Sequence, residues 1–68
     1  MKISARNILK GNVTEIVKGA TTSHVRIDIG GVIVTASITN EAVADLQLEK
    51  GKQAYAVIKA SDVMVGID

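Results

Sequence analysis

Two short segments of this chain carry more donor groups than their surroundings call for. Ser4-Ala5-Arg6-Asn7 stands just ahead of the first apolar alternation, and Lys59-Ala60-Ser61 ends the apolar stretch Ala56-Val57-Ile58. A lysine after such a stretch needs a reason. One reading is bland: a strand-end lysine and an arginine that simply point into water. The other is an anion site. A tetrahedral dianion is held by many donors and few acceptors, namely guanidinium, ammonium, hydroxyl and backbone N–H groups. Arg6, Lys59, Ser4, Ser61 and Thr39 supply that set. Thr39 also falls at an expected helix start, where the macrodipole favours negative charge. The pattern by itself leaves both readings open.

Other chemistries find less support. The chain has no cysteine and a single histidine, His24, so neither a thiolate nor a metal cage can be assembled, and no metal or cofactor site is expected. His24 alternates with Val25 and Ile27, which puts it on the solvent or interface side of a strand. The seven acids lie at turns or on polar strand faces, with no pair spaced for acid–base work. No glycine-rich loop ends in Lys-Ser or Lys-Thr ahead of a helix, so a phosphate loop is absent. The expectation is a binding protein, not an enzyme.

A single-stranded nucleic-acid module is the alternative, because small β-barrels of the oligonucleotide-binding (OB) type often bind single strands. Such surfaces stack bases on aromatic platforms inside a basic groove. Here Tyr55 is the only aromatic residue and the net charge is +1, so both components are weak. No apolar run approaches the ~20 residues of a membrane span, and the first residues lack a secretory signal. Neither nucleic acid nor membrane is an expected partner, and a cytoplasmic location is.

The elements that must position these donors follow from periodicity. Ile8 to Val17 reads as a first strand, with Gly11 a bulge or a point of close approach. Lys18 to Thr22 is a turn. Val25, Ile27 and Ile29 alternate with polar neighbours in a second strand, and Gly30-Gly31 signals a two-residue hairpin. Val32, Val34, Ala36 and Ile38 share one face of a third strand. Thr39-Asn40-Glu41 then opens a short helix reaching about Leu46, with Val43, Leu46 and Ala42 facing inward. Glu49 to Lys52 turns the chain into a fourth strand, whose Ala54, Ala56 and Ile58 face inward. Val63, Val65 and Ile67 make a fifth. The fold class is therefore all-β, a small five-stranded OB-like Greek-key barrel with one short helix between the third and fourth strands, in a single domain over residues 1–68. Chains this small usually need a staple, and without cysteine or a metal cage oligomerisation is what remains.

At the donor segments the sequence also resembles a known family. Ser4-Ala5-Arg6-Asn7 followed by Leu9-Lys10-Gly11, the helix and turn Val43 to Gly51, and the ending Val57 to Met64 resemble the molbindins, the single-module Mop proteins. The same module recurs in molybdate-responsive regulators and molybdate-transporter ATPases. The resemblance spans essentially the whole chain and suggests a free-standing molbindin. It implies an OB-like barrel assembled into a homohexamer, a trimer of dimers, that binds molybdate or tungstate at subunit interfaces and serves intracellular molybdenum storage or homeostasis. The implied interface site maps onto Ser4, Ala5, Arg6, Thr39, Lys59, Ala60 and Ser61. A second site near a symmetry axis is suggested at Gly19, Ala20, Thr21 and Thr22, where an ordinary turn is the competing reading. Ala42 departs from the family, since many relatives carry Ser in the first helical turn.

Overall fold

Alternating apolar and polar side chains make four strands in the computed structural model, which describes residues 1–68. They are β1 (Asn7–Lys18), β2 (Thr22–Asp28), β3 (Ile33–Thr39) and β4 (Gln53–Ile58), with helix α1 (Asn40–Asp45) between β3 and β4. One antiparallel sheet runs in the order β3-β2-β1-β4. The length of β1 sets this arrangement. Its first half, Asn7 to Asn12, pairs with β4, and its second half, Asn12 to Lys18, pairs with β2. No helix is long and apolar enough to cross a membrane.

The glycines do the work their positions suggest. Gly30 and Gly31 both have positive φ and sit inside a turn closed by the Ile29 N–H donating to the Val32 carbonyl at 2.9 Å. Gly11 is the close approach. A Cβ there would lie 2.2 Å from the Asp28 backbone oxygen, so no side chain fits. The bulge itself falls between Val13 and Glu15, where β1 bends and twists more strongly.

The core is small. Val13, Val25, Ile27 and Ala56 form it, with Leu9, Ile16, Val34, Ile38, Val43 and Leu48 packed around them half-buried. Ala56 of β4 is in the core and Ala54 packs against it, while Ile58 is half-buried beyond that cluster, and Val34, Ala36 and Ile38 of β3 share the half-buried face as expected. Val32 does not join them. It precedes the strand, in the turn, and is mostly exposed.

Two expectations need correcting. Leu46 was expected to face inward, yet it is 60 % exposed. The helix stops at Asp45, and Gln47 turns the chain through a positive φ, so Leu48 takes the inward place instead. The fifth strand is the larger difference. After β4 a 3-10 turn, Ala60–Asp62, deflects the chain, and Val63, Val65 and Ile67 form no strand. A strand exists only where its backbone groups meet another edge. Residues 64–68 bond to neither edge of this sheet. A single chain thus forms a curled four-stranded sheet in place of the expected five-stranded Greek-key barrel.

Candidate oxyanion-binding site

The expected site residues fall into two groups, at opposite ends of β1. The first group gathers where β1 begins and β4 ends. Asn7 pairs with Ile58, so Arg6 and Lys59 lie just beyond the last pair of that ladder. The Asn7 side chain donates to the Ile58 carbonyl at 3.2 Å and pins the two segments together. Ala5 is buried, which fixes the backbone of the Ser4–Arg6 segment while Ser4 and Arg6 stay exposed. Lys59, Ala60 and Ser61 are exposed and lead into the 3-10 turn, where the Asp62 N–H donates to the Lys59 carbonyl at 2.9 Å.

The electrostatics of this end favour an anion. Arg6 donates only to nearby carbonyls, Nε to Ser4 at 3.0 Å and Nη2 to Ile3 at 3.4 Å. The chain's single ion pair is Arg26 with Glu15, so neither Arg6 nor Lys59 has a carboxylate partner. Two cations and two serine hydroxyls therefore flank the end of one ladder, and neither cation is ion-paired, although Asp62 lies in the turn that follows Lys59. Nowhere do three metal-capable acids, histidines or cysteines cluster.

The second group gathers where β1 ends, β2 begins and β3 meets α1. Thr22 pairs with Thr39, and the Gly19 N–H donates to the Thr22 carbonyl at 2.8 Å to close the turn. Thr39 caps α1, its hydroxyl oxygen accepting from the Ala42 N–H at 3.0 Å. The hydroxyl proton of Thr39 stays free to donate. Ala42 brings no hydroxyl of its own, and its amide is taken by the cap. The backbone N–H groups of Ala20 and Thr21 donate to no protein acceptor.

Thr39 is therefore far from Arg6 within one chain. β1 separates them by twelve residues, up to about 36 Å of strand contour. The first group holds Ser4, Ala5, Arg6, Lys59, Ala60 and Ser61 together, and Thr39 belongs with Gly19 to Thr22.

Two residues that sequence reasoning passed over hold the second group. Asn40 donates its side-chain amide to the carbonyls of Gly19 at 3.1 Å and Ala20 at 3.4 Å, and its backbone N–H to Thr21 at 2.9 Å. Ser23, 2 % exposed, donates its hydroxyl to Asn40 Oδ1 at 2.5 Å. The signal for Ser23 was present, since it shares the inward face of Val25 and Ile27 and is polar. Nothing local pointed Asn40 back across twenty residues.

Comparison with known proteins gives consistent findings. The TOBE domain family model matches residues 3–65. A protein of Haemophilus influenzae described as a probable molybdenum-pterin-binding protein is 52 % identical over the full length of both chains. A molybdate-binding protein from Sporomusa ovata has the same structure at a TM-score of 0.94, with 42 % identity, 98 % of this chain and all of that one covered. The cytoplasmic molybdate-binding protein ModG, solved with molybdate bound, matches at a TM-score of 0.95 and 46 % identity. There, all of this chain aligns with 49 % of the longer one.

Proposed function

Since the chain belongs to the TOBE domain family, among its molybdenum-pterin-binding (Mop) proteins, we propose that it binds molybdate as an oxyanion and performs no catalysis. The observation that carries this reading is the pairless Arg6 and Lys59, brought to one end of the β1–β4 ladder beside Ser4 and Ser61. Backbone N–H groups of Ala5 and Ala60 add donors without side chains. A tetrahedral dianion would complete the charge balance that no carboxylate of the chain supplies.

Thr39 joins this site from a neighbouring subunit, because its own chain holds it at the far end of β1. The bound form is then a homo-oligomer; the resemblance to the Mop proteins implies a hexamer built as a trimer of dimers, with tungstate accepted in the same donor set. Gly19 to Thr22 form a second oxyanion site, supported by the free amides of Ala20 and Thr21. The role is intracellular molybdenum storage or homeostasis, in the cytoplasm.

A pterin ligand has less to hold it. Tyr55 is the only aromatic side chain, and it pairs with Lys10 in mid-sheet, away from both groups. That same lack of stacking surface weighs against single-stranded nucleic acid. Calorimetric titration with molybdate, tungstate, sulfate, phosphate and a single-stranded oligonucleotide tests the reading. Saturable heat with molybdate and tungstate, and none with the oligonucleotide, is the expected result. Salt-sensitive oligonucleotide binding with no molybdate heat would overturn it.

A further inference from the structure

Asn7 stands where the alternation of β1 asks for an apolar residue. Leu9 and Val13 share its inward parity, and Asn7 is half-buried at the first position of the strand. Asparagine is also among the residues that strands disfavour. Its side chain makes one bond, Nδ2 donating to the Ile58 carbonyl at 3.2 Å. An apolar side chain would serve the sheet as well or better, so the carboxamide needs another reason.

The Ile58 carbonyl belongs to the peptide group whose nitrogen is that of Lys59, and the Asn7 nitrogen completes the peptide group of Arg6. One residue thus joins both cation-bearing segments, covalently to Arg6 and by a hydrogen bond to the peptide plane that leads into Lys59. Little else joins them. Residues 1–6 make no backbone–backbone hydrogen bond, and the carbonyls of Lys59 and Ala60 accept only from Asp62 and Val63. The side-chain bonds of Arg6 stay within its own segment. Arg6 and Lys59 carry like charge and neither is ion-paired, so their repulsion favours splaying at the end of the ladder. The bond from Asn7 resists it.

We propose that Asn7 is a positioning residue of the oxyanion site: it holds the Arg6 and Lys59 segments at one spacing before the anion arrives, and that spacing makes the site prefer molybdate to the smaller sulfate. The two cationic side chains stay free to turn toward a ligand, while the backbones that carry them do not drift apart. A site held in its bound geometry loses less conformational freedom on binding. It also discriminates by size, because donors fixed at the span of a larger tetrahedron cannot close on a smaller one. Without the pin both effects fade. Molybdate then waits on a rarer closed arrangement, and sulfate finds donors able to shrink around it. The inference rests on the oxyanion reading above and assigns its selectivity.

Asn7→Leu keeps the branched shape of the side chain and removes its donor, while Asn7→Gln keeps a donating amide on a longer stem. Both are compared with wild type as full chains, by molybdate calorimetry alone and with sulfate as competitor, and by guanidinium denaturation at one protein concentration. Asn7→Leu is expected to hold or raise the denaturation midpoint, since it places an apolar side chain at an inward position. Its molybdate affinity should nevertheless fall roughly three- to tenfold, the scale of one net hydrogen bond. Sulfate affinity should fall less, so that the preference for molybdate narrows, and Asn7→Gln should bind molybdate more tightly than Asn7→Leu. In the ligand-free protein, NMR order parameters of the Arg6 and Lys59 amides should drop in Asn7→Leu and recover when molybdate is added.

Unchanged molybdate affinity in Asn7→Leu would overturn the inference. So would a midpoint that falls together with the affinity, which marks a structural role, or equal losses for both anions with unchanged order parameters, which mark a direct ligand. Sulfate competing no better against Asn7→Leu than against wild type counts against it, as does Asn7→Gln binding no better than Asn7→Leu. Arg6→Ala separates two failures. Molybdate binding lost there and kept in Asn7→Leu sinks the positioning role alone, whereas no molybdate heat from wild type sinks the oxyanion reading itself.

Discussion

At the Lys18 end of β1 the Asn40 and Ser23 side chains are committed to the fold itself, while at the Asn7 end Arg6 and Lys59 are held so loosely that a ligand could take them over. The Asn40 side chain donates to the Gly19 and Ala20 carbonyls and accepts the hydroxyl of a buried Ser23, so its whole side-chain amide is used. Arg6, by contrast, touches two carbonyls of its own exposed segment, and Lys59 touches no acceptor. A buried polar atom must be bonded inside the chain, because an orphan there loses its hydration without compensation. An exposed cation bears no such constraint, and its contacts contribute little to stability. Asn40 and Ser23 therefore read out in stability, and Arg6 and Lys59 in affinity.

The sharpest way to break that division is to disturb the strand that joins the two ends. Gly11→Val should destabilise the chain by about 3 kcal/mol or more, since its Cβ would meet the Asp28 backbone oxygen, which cannot yield as a side chain could. Guanidinium unfolding should show no folded baseline or a strongly lowered midpoint, and molybdate affinity should vanish with the fold. A midpoint unchanged from the wild type would mean that β1 and β2 separate freely, and the two ends could then not be treated as fixed.

Asn40→Ala comes next. It removes three side-chain hydrogen bonds and leaves the buried Ser23 hydroxyl without its acceptor. A loss of about 2–3 kcal/mol is expected, given about 0.5–1.5 kcal/mol for each bond in net terms. It is measured from denaturation midpoints at one fixed protein concentration, because association shifts apparent stability. A loss below about 0.5 kcal/mol would show that the turn is held by its backbone alone.

Arg6→Ala should do the reverse. Stability should stay within about 0.5 kcal/mol of wild type, as for other exposed side chains. Molybdate affinity should fall roughly ten- to a hundredfold, the equivalent of a charge-assisted bond of about 1.5–3 kcal/mol. Arg6→Lys should remain impaired, because a point charge does not replace a fork that grips two oxygens. Lys59→Ala should weaken binding less. Unchanged affinity in both alanine variants, by calorimetry, would move the site to Gly19–Thr22.

How much of this was legible before the fold was known differs between the ends as well. Arg6 and Lys59 could be singled out from their donor-rich segments and the family resemblance, but their meeting rests on the β1–β4 pairing, which alternation alone does not specify. The separation of Thr39 from them was not legible. It depends on the register along a twelve-residue strand that serves two neighbours in turn, and no local signal encodes that. Alternation at Val63, Val65 and Ile67 suggested a fifth strand that this chain does not form, because strand formation needs an edge, and alternation does not say which edge is available. Asn40 looked like an ordinary first helical residue because its bonds are all long-range.

The smallest expected effect concerns a third turn, which shows what an occupied amide nest does. In the β2–β3 hairpin the Asp28 carboxylate accepts the N–H groups of Gly31 at 2.7 Å and Gly30 at 2.9 Å, while the corresponding amides of Ala20 and Thr21 stand free. The Gly31 bond, then the Gly30 bond, holds the Asp28 carboxyl below its ordinary value, against a smaller opposing effect of burial. A carboxyl lowered in the folded state contributes stability that is present above its unfolded value and is lost as pH falls through the lowered one. The window is therefore below about pH 4, where an ordinary aspartate begins to protonate. Asp28→Asn keeps a hydrogen-bonding oxygen but cannot titrate, so its stability should fall less steeply than wild type between pH 4 and pH 2, with little difference in slope near pH 7. Denaturation midpoints across that range decide it. Parallel curves would mean that the two amides grip the neutral acid as well as the anion, and the free amides at Ala20 and Thr21 would then lose their standing as a second oxyanion site.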